Sequence, residues 1–219
     1  MYLPSHFEET RDEVLHAFIS THPLATVVTY GAHGFVANPL PLLLRAHPGE
    51  PASLLGHVAR QNPMWQEVAS AGEAIAVFQG PSAYISPSWY PSKHEHGRAV
   101  PTWNYVTVHA HGILRIHDEV EWVRRQVEAL TEQHESSHRP PWTLSDAPPE
   151  YRDRMLRSVV GIELVITRLV GKWKVSQNQS EENRAGVVQG LLATGRPQDA
   201  AMAALVAGVG TSPSTRDPR

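Results

Sequence analysis

Residues 77–105, VFQGPSAYISPSWYPSKHEHGRAVPTWNY, set four prolines and two glycines among Tyr84, Trp89, Tyr90, Trp103 and Tyr105. Proline fixes φ and removes a ladder donor, and glycine opens conformations closed to other residues. Gly80-Pro81, Ser86-Pro87, Tyr90-Pro91 and Val100-Pro101 therefore separate short extended pieces. The rings are held on a stiff, shaped backbone. Their polar tips suit a wall that packs on a planar ligand and fixes its edge, and the same rings also suit the filling of a β core.

The flanking sequence supplies more strands than helices. Residues 24–30 (LATVVTY) are β-branched and end at Gly31-Ala32-His33-Gly34, after which residues 35–44 run extended again, a hairpin pattern. Pro39 and Pro41 place the second strand at an edge or a bulge, where backbone groups are free to meet something other than a neighbouring strand. Residues 53–58, 74–78, 83–86, 102–117 (with Gly112 marking a bend) and a last segment with Ile162, Leu164 and Ile166 alternating read as further strands. Gly171 to Asn178 follows that last strand.

Helices fit between and after them. Thr10 with Glu13 in the capping-box position opens a helix to Ser20. Pro63 opens another over residues 64–70, closed by Gly72. Asp118 caps an amphipathic helix with Val120, Val123, Val127 and Leu130 on its apolar face. Residues 151–157, a stretch from a cap at Ser180 or Asn178 to about Leu192, and residues 197–206 complete the set, with a long proline-rich loop over 136–149. The expectation is a mainly β fold with peripheral helices, an antiparallel barrel rather than a doubly wound sheet. It forms a single domain over residues 1–206, with a flexible tail over 207–219.

Composition narrows function by exclusion. The absence of cysteine removes disulfides, thiol nucleophiles and thiolate metal sites, so redox chemistry must come from a bound cofactor. Nineteen Lys and Arg against 22 Asp and Glu give a formal charge of −3, which does not advertise phosphate-backbone binding. The early acidic residues and the lack of any bilayer-length apolar run point to a cytoplasmic protein with no membrane partner. His109-Ala110-His111 on a strand and His94-Glu95-His96 in a loop lack a third ligand at a recognisable spacing, so no metal is expected. No nucleophile elbow, P-loop or dinucleotide fingerprint is present.

FQGPSAYISPSWYPSK, VPTWNY, GHVARQNPMW and GKWKVSQN together resemble the PaiB family of FMN-binding negative transcriptional regulators, from Met1 to about Leu192. The resemblance implies an FMN-binding split β-barrel, homodimeric, with two flavins lying across the subunit interface. It implies repression of transcription, with DNA engaged directly or through a partner protein. The acidic balance and the lack of an evident helix-turn-helix weigh against direct DNA reading. The tail beyond Ala193 and the HEHG stretch at His94 depart from the family pattern. Related split barrels also include enzymes that oxidise pyridoxamine phosphate or reduce flavins, and others that bind haem. A flavin-dependent oxidoreductase or flavin reductase is thus the competing reading, and whether the chain is an enzyme stays open.

Site residues follow from the chemistry of FMN. Its phosphate needs cationic and backbone donors, and the turn His57-Val58-Ala59-Arg60-Gln61-Asn62 ahead of a helix offers both. Arg60 is the first expectation there, with His57, Ala59 and Asn62 beside it; a solvated arginine at a helix start is the plainer alternative. The pyrimidine edge of the ring needs donors and acceptors, which the backbone of Asn38, Pro39 and Leu40 and the Asn38 amide can supply. Trp103, Asn104 and Gln177 are groups of the type the ring requires, and Lys172 is the candidate cation for the N1 and O2 side, where Lys93 and Lys174 are also available. Core packing for the tryptophans, and helix capping for Gln177 and Asn178, are the alternatives.

Overall fold

Burial alternates residue by residue along Leu24–Gly31, where Ala25, Val27 and Thr29 point inward. This is the period-two signature of a strand with one face on a core. It pairs antiparallel with Gly34–Pro41 from Leu24↔Pro41 to Gly31↔Gly34, the expected hairpin. The computed structural model describes residues 1–31, 34–67, 72–93 and 97–209. His33 of the expected turn, the end of the expected helix over 64–70, His94-Glu95-His96 and most of the tail lie outside these residues.

In chain order the elements are β1 (Glu8–Glu9), α1 (Asp12–Thr21), β2 (Leu24–Gly31), β3 (Gly34–Pro41), β4 (Leu43–Arg45), β5 (Ser53–Ala59), α2 (Met64–Glu67), β6 (Glu73–Ile85), β7 (Thr102–His117), α3 (Val120–Glu135), α4 (Pro149–Arg157), β8 (Val159–Lys174), α5 (Glu181–Ala193) and α6 (Pro197–Ala207). The strands form one eight-stranded sheet in the order β3-β2-β6-β7-β8-β5-β4, with β1 pairing β8. The fold is mainly antiparallel β with peripheral helices. Pro39 and Pro41 lie on β3 at one end of that order, where a missing donor breaks no second ladder.

By internal contacts the chain forms two compact units. One comprises Asp12–Phe78 and Val108–Leu169; the other draws on Met1–Arg11, Gln79–Thr107 and Val170–Arg219. We call them unit A and unit B. Strands β6, β7 and β8 contribute residues to both.

Several local expectations are corrected. The separate strands expected at 74–78 and 83–86 are one strand, β6. Its buried side chains switch from Ala74, Ala76 and Phe78 to Ala83 and Ile85, an even-to-odd change across Gly80-Pro81. The switch falls where β6 passes from one compact unit to the other, after Phe78, so the dipeptide marks a change of buried face instead of ending the strand. The 35–44 run breaks at Leu42, whose N–H goes to the Pro23 carbonyl, 2.9 Å. The last strand is longer than expected and carries Gly171 to Lys174 within β8.

β7 runs unbroken through Gly112. A Cβ there would sit 2.9 Å from the Val165 carbonyl carbon, so the glycine marks the close approach of β8. In unit A, Glu163 of β8 is buried between Arg45, at 2.5 Å, and His117, at 3.0 Å. Charge-assisted bonds of this kind offset the burial of its carboxylate.

Candidate functional site

In unit A, β5 runs into the turn that leads to α2, and every predicted phosphate-side residue sits on or beside that turn. Arg60 is held by the backbone of β8 and its approach. Its N–H donates to the Ser158 carbonyl at 2.8 Å, its Nε to the Arg157 carbonyl at 2.8 Å and its Nη2 to the Val159 carbonyl at 3.2 Å. Its outward edge pairs with both carboxylate oxygens of Asp118, at 2.5 and 3.2 Å. The bond from Arg60 holds the Asp118 carboxyl below the ordinary carboxylate range. The guanidinium lies 5.9 Å from the Trp65 ring, and the Trp65 indole N–H donates to the Arg60 carbonyl at 2.9 Å. Asp118, expected as a helix cap, serves this pair instead, and α3 starts after Glu119 with no side-chain cap bond.

Asn62 closes the turn. Its N–H donates to the Ala59 carbonyl, its Oδ1 accepts from the Met64 N–H at 3.0 Å, and its Nδ2 donates to Asn38 Oδ1 at 2.9 Å. Asn38 Nδ2 in turn reaches Met64 Sδ at 3.3 Å. The two asparagines therefore tie β3 to the turn, joining a residue expected at the ring edge to one expected at the phosphate. Beside Asn38, Pro39 is exposed and Leu40 buried; Ala59 pairs with Val159. The N–H groups of Arg60, Asn62 and Met64 are taken by the chain itself, so anion-binding capacity at this turn rests on side chains.

His57 donates from Nδ1 to Gln126 Oε1 at 2.8 Å. Gln126 is 3% exposed on α3, and its Nε2 has no partner among the described residues. The sequence reading missed Gln126 because it took Val127 as the stripe residue. Val123, Gln126 and Leu130 are the buried positions, a three-and-four spacing that was available as a signal. His57 also lines a mostly apolar cavity of about 200 Å³ with Trp142, Tyr151, Met155, Leu156 and Val159.

The remaining predicted residues lie in unit B. Lys172 is 6% exposed, donates to the Tyr2 carbonyl at 3.0 Å and lies over the rings of Tyr2 and Tyr105, at 5.7 and 5.2 Å. Two aromatic faces and a carbonyl compensate its buried charge. Asn104 is 1% exposed and donates from Nδ2 to Ser176 Oγ at 2.8 Å. Gln177 spends its amide on the backbone, accepting from the Val175 N–H at 2.8 Å and donating to the Trp173 carbonyl at 2.5 Å, a lock on the turn after β8. Trp103 is 56% exposed and meets Tyr84 edge-on, with centroids 6.1 Å apart. Trp89 instead packs on α5, over Gly186 and Gly190. His109 and His111 have ring centroids 6.4 Å apart, and among the described residues no group of three His, Cys, Asp or Glu could hold a metal ion.

Comparison with known proteins adds to this geometry. Residues 1–168 match the family model described as "Putative FMN-binding domain". The Bacillus subtilis protein named protease synthase and sporulation protein PAI 2 is 29% identical over 206 residues, covering 94% of this chain and 96% of its own. An uncharacterized protein of Emericella nidulans is 30% identical over 231 residues, covering 87% and 90%. Among solved structures, the FAD and heme binding protein of Mycobacterium smegmatis superimposes with a TM-score of 0.56 at 16% identity, covering 76% of this chain and 73% of that one. The flavocytochrome Anf3 of Azotobacter vinelandii gives 0.55 at 10% identity, covering 76% and 69%. At such identities the likeness is one of fold, the split β-barrel of flavoproteins.

Proposed function

Because the chain belongs to the FMN-binding family matched over residues 1–168, its cofactor is FMN, and we propose that it acts as an FMN-loaded homodimer that represses transcription, reaching DNA directly or through a partner protein. The name of the Bacillus subtilis relative, which refers to protease synthesis and sporulation, supports a regulatory output. The exposed end of the β2–β3 hairpin supports a second copy as neighbour: Tyr30 and Phe35 meet edge-on at 4.9 Å, with Phe35 80% exposed.

The residues of unit A fit the cofactor. One observation carries the flavin seat: a guanidinium fixed by the Arg157 and Val159 carbonyls, with its outward edge held, among the described residues, by the exposed carboxylate of Asp118. Such a solvent-screened pair is weakly held, and a phosphate dianion presents the same paired oxygens with more charge. Asp118 thus occupies the place of the phosphate, and Arg60 needs no rearrangement to receive it. His57 and Asn62 flank that edge in sequence.

The unpartnered Gln126 Nε2 beside His57 is a buried donor that an acceptor-rich ligand would satisfy. β3 has a single ladder partner, so alternate backbone groups around Asn38, Pro39 and Leu40 are left for the polar edge of the ring. Bound FMN supplies reversible hydride and electron chemistry; the protein supplies position and charge.

Titration of FMN by quenching of its fluorescence tests the seat. Arg60→Ala should weaken binding by about tenfold or more, the loss of a charge-assisted pair. Asp118→Ala should leave affinity unchanged or raise it, because it vacates the edge of Arg60. Equal weakening by both variants would reduce the pair to a structural bridge and refute the assignment. For the output, a salt-dependent shift of promoter DNA by the FMN-loaded dimer supports repression, and steady NADH oxidation without DNA affinity refutes it.

A further inference from the structure

Unit B contains a cavity of about 320 Å³ whose walls carry Lys174 and Arg98 together with Thr102, Asn104, Ser176 and Asn183, and no carboxylate among the described lining residues. Its volume lies at the low end of the range for pockets that enclose small ligands, roughly 300–1,000 Å³. The uncompensated charge is Lys174. Its ammonium is half-buried, donates to the Thr102 hydroxyl at 2.5 Å, and has no ion-pair partner among the described residues. Lysine has three donors, so the Thr102 bond uses one of them. Burial lowers its pKa most; Tyr105 acts in the opposite direction, and the positive charge of Lys172, two residues away on the same strand face, lowers it further. Lys172 has its carbonyl and two rings; Lys174 has one hydroxyl.

The cavity is also built rigidly. Ser176 holds a φ of 63°, a left-handed conformation that costs a non-glycine residue energy and persists only where the surroundings enforce it. Its Oγ accepts from the fully buried Asn104. Asn183, in the first turn of α5, accepts from the Ser92 N–H at 3.3 Å and donates to Ser92 Oγ at 2.9 Å and Gln179 Oε1 at 3.2 Å. Fixed amides and hydroxyls surrounding a half-buried cation are the ingredients of oxyanion recognition, since such a charge is stabilised by an opposite one arriving with its own hydrogen-bond acceptors.

We propose that this cavity is a second binding site, separate from the flavin seat of unit A, for a small molecule bearing a compact oxyanion, a phosphate ester or a dicarboxylate. Lys174 makes the ion pair, and the Asn104–Ser176 and Asn183–Ser92 pairs shape the walls. In a flavin-loaded regulator such a site would admit an effector.

The test uses full-length protein saturated with FMN, titrated calorimetrically with inorganic phosphate in one arm and malonate in the other; the tighter arm identifies the class. Lys174→Met should weaken the tighter ligand by about tenfold, the worth of one charged hydrogen bond, while Lys174→Arg, which keeps the charge, retains it. FMN content and circular dichroism verify that the variants are folded. The proposal is overturned by the absence of binding for either anion up to millimolar concentration, by equal affinity in Lys174→Met, or by anion binding that disappears once FMN saturates the protein.

Discussion

Replacing Gly190 by alanine separates two effects of opposite sign. In an ordinary helix interior the substitution stabilises by about 0.5–1 kcal/mol, because glycine loses more backbone freedom on folding. In α5 the added methyl would lie against the Trp89 ring, 2.5 Å from Cε2 and closer still to Cγ and Cδ2, well inside contact distance. Overpacking of this kind costs about 1–3 kcal/mol. The net change should be a destabilisation of up to about 2 kcal/mol, read from urea unfolding followed by far-ultraviolet circular dichroism. In a Trp89→Ala background the obstacle is gone, so Gly190→Ala should become stabilising by about 0.5–1 kcal/mol. Gly186→Ala behaves differently. Its methyl would meet the Trp89 main-chain carbonyl, so truncating the Trp89 side chain should not rescue it. If Gly190→Ala stabilises the parent chain, or destabilises both backgrounds equally, Trp89 does not seat on this face of α5 and the reasoning fails.

Gly161 sets the same kind of limit in unit A. A Cβ there would lie 2.5 Å from Cε3 of Trp122, which stacks on His117 at 4.1 Å and 5°, so Gly161→Ala should cost about 1–3 kcal/mol and weaken the near-ultraviolet signal of the tryptophan. The second prediction concerns acid. His109 and His111 are both held below the ordinary histidine pKa, chiefly by burial, with the charge of Arg168 among the lesser causes; His111 Nε2 is buried without a partner. The unfolded chain binds protons at these sites first, so stability should be complete above the unfolded value of about 6.5 and fall as pH drops from there through the lowered folded values. The His109→Gln, His111→Gln double variant should show a shallower loss of melting temperature between about pH 7 and 5. An unchanged slope would mean that these groups do not titrate on unfolding.

What the sequence disclosed was local. A β-branched run ending in a glycine-rich break delimited β2 and the start of β3, whose end was set three residues too far, and the run opened by Pro101 delimited β7 to the residue. Asn38 and Asn62 were assigned to different parts of the ligand, the ring edge and the phosphate, and their joined amides were not foreseen because 24 positions separate them. The partner of Arg60 was hidden because Asp118 lies 58 positions away and matched a helix cap so well locally. Trp89 was read as part of a ligand wall or of a β core, and it is neither, although Gly186 and Gly190, one turn apart on a helix, signal a face open to something bulky. Lys172 and Lys174 were read as lying beyond the last strand and as equal candidates; their difference rests on Tyr2, Tyr105 and Thr102, placed by tertiary packing.

The Gly80-Pro81 pair shows why punctuation and interruption are different things. A strand buries alternate residues, so one that must bury Phe78 and then Ile85, seven positions on, cannot do both on the same face without gaining or losing a residue. The switch comes where β6 leaves the unit that holds Phe78 for the unit that holds Ile85, and each half buries the face its own unit requires. The ladder of β6 with β2 ends at Val77, so Pro81 lies beyond the donors that β2 requires. Taken alone, a Gly-Pro dipeptide says only that the regular pattern stops. Set beside the parity of the apolar residues around it, even on the N-terminal side and odd on the C-terminal side, the same dipeptide says that the strand continues with its faces exchanged, and that parity can be counted from the order of the residues alone.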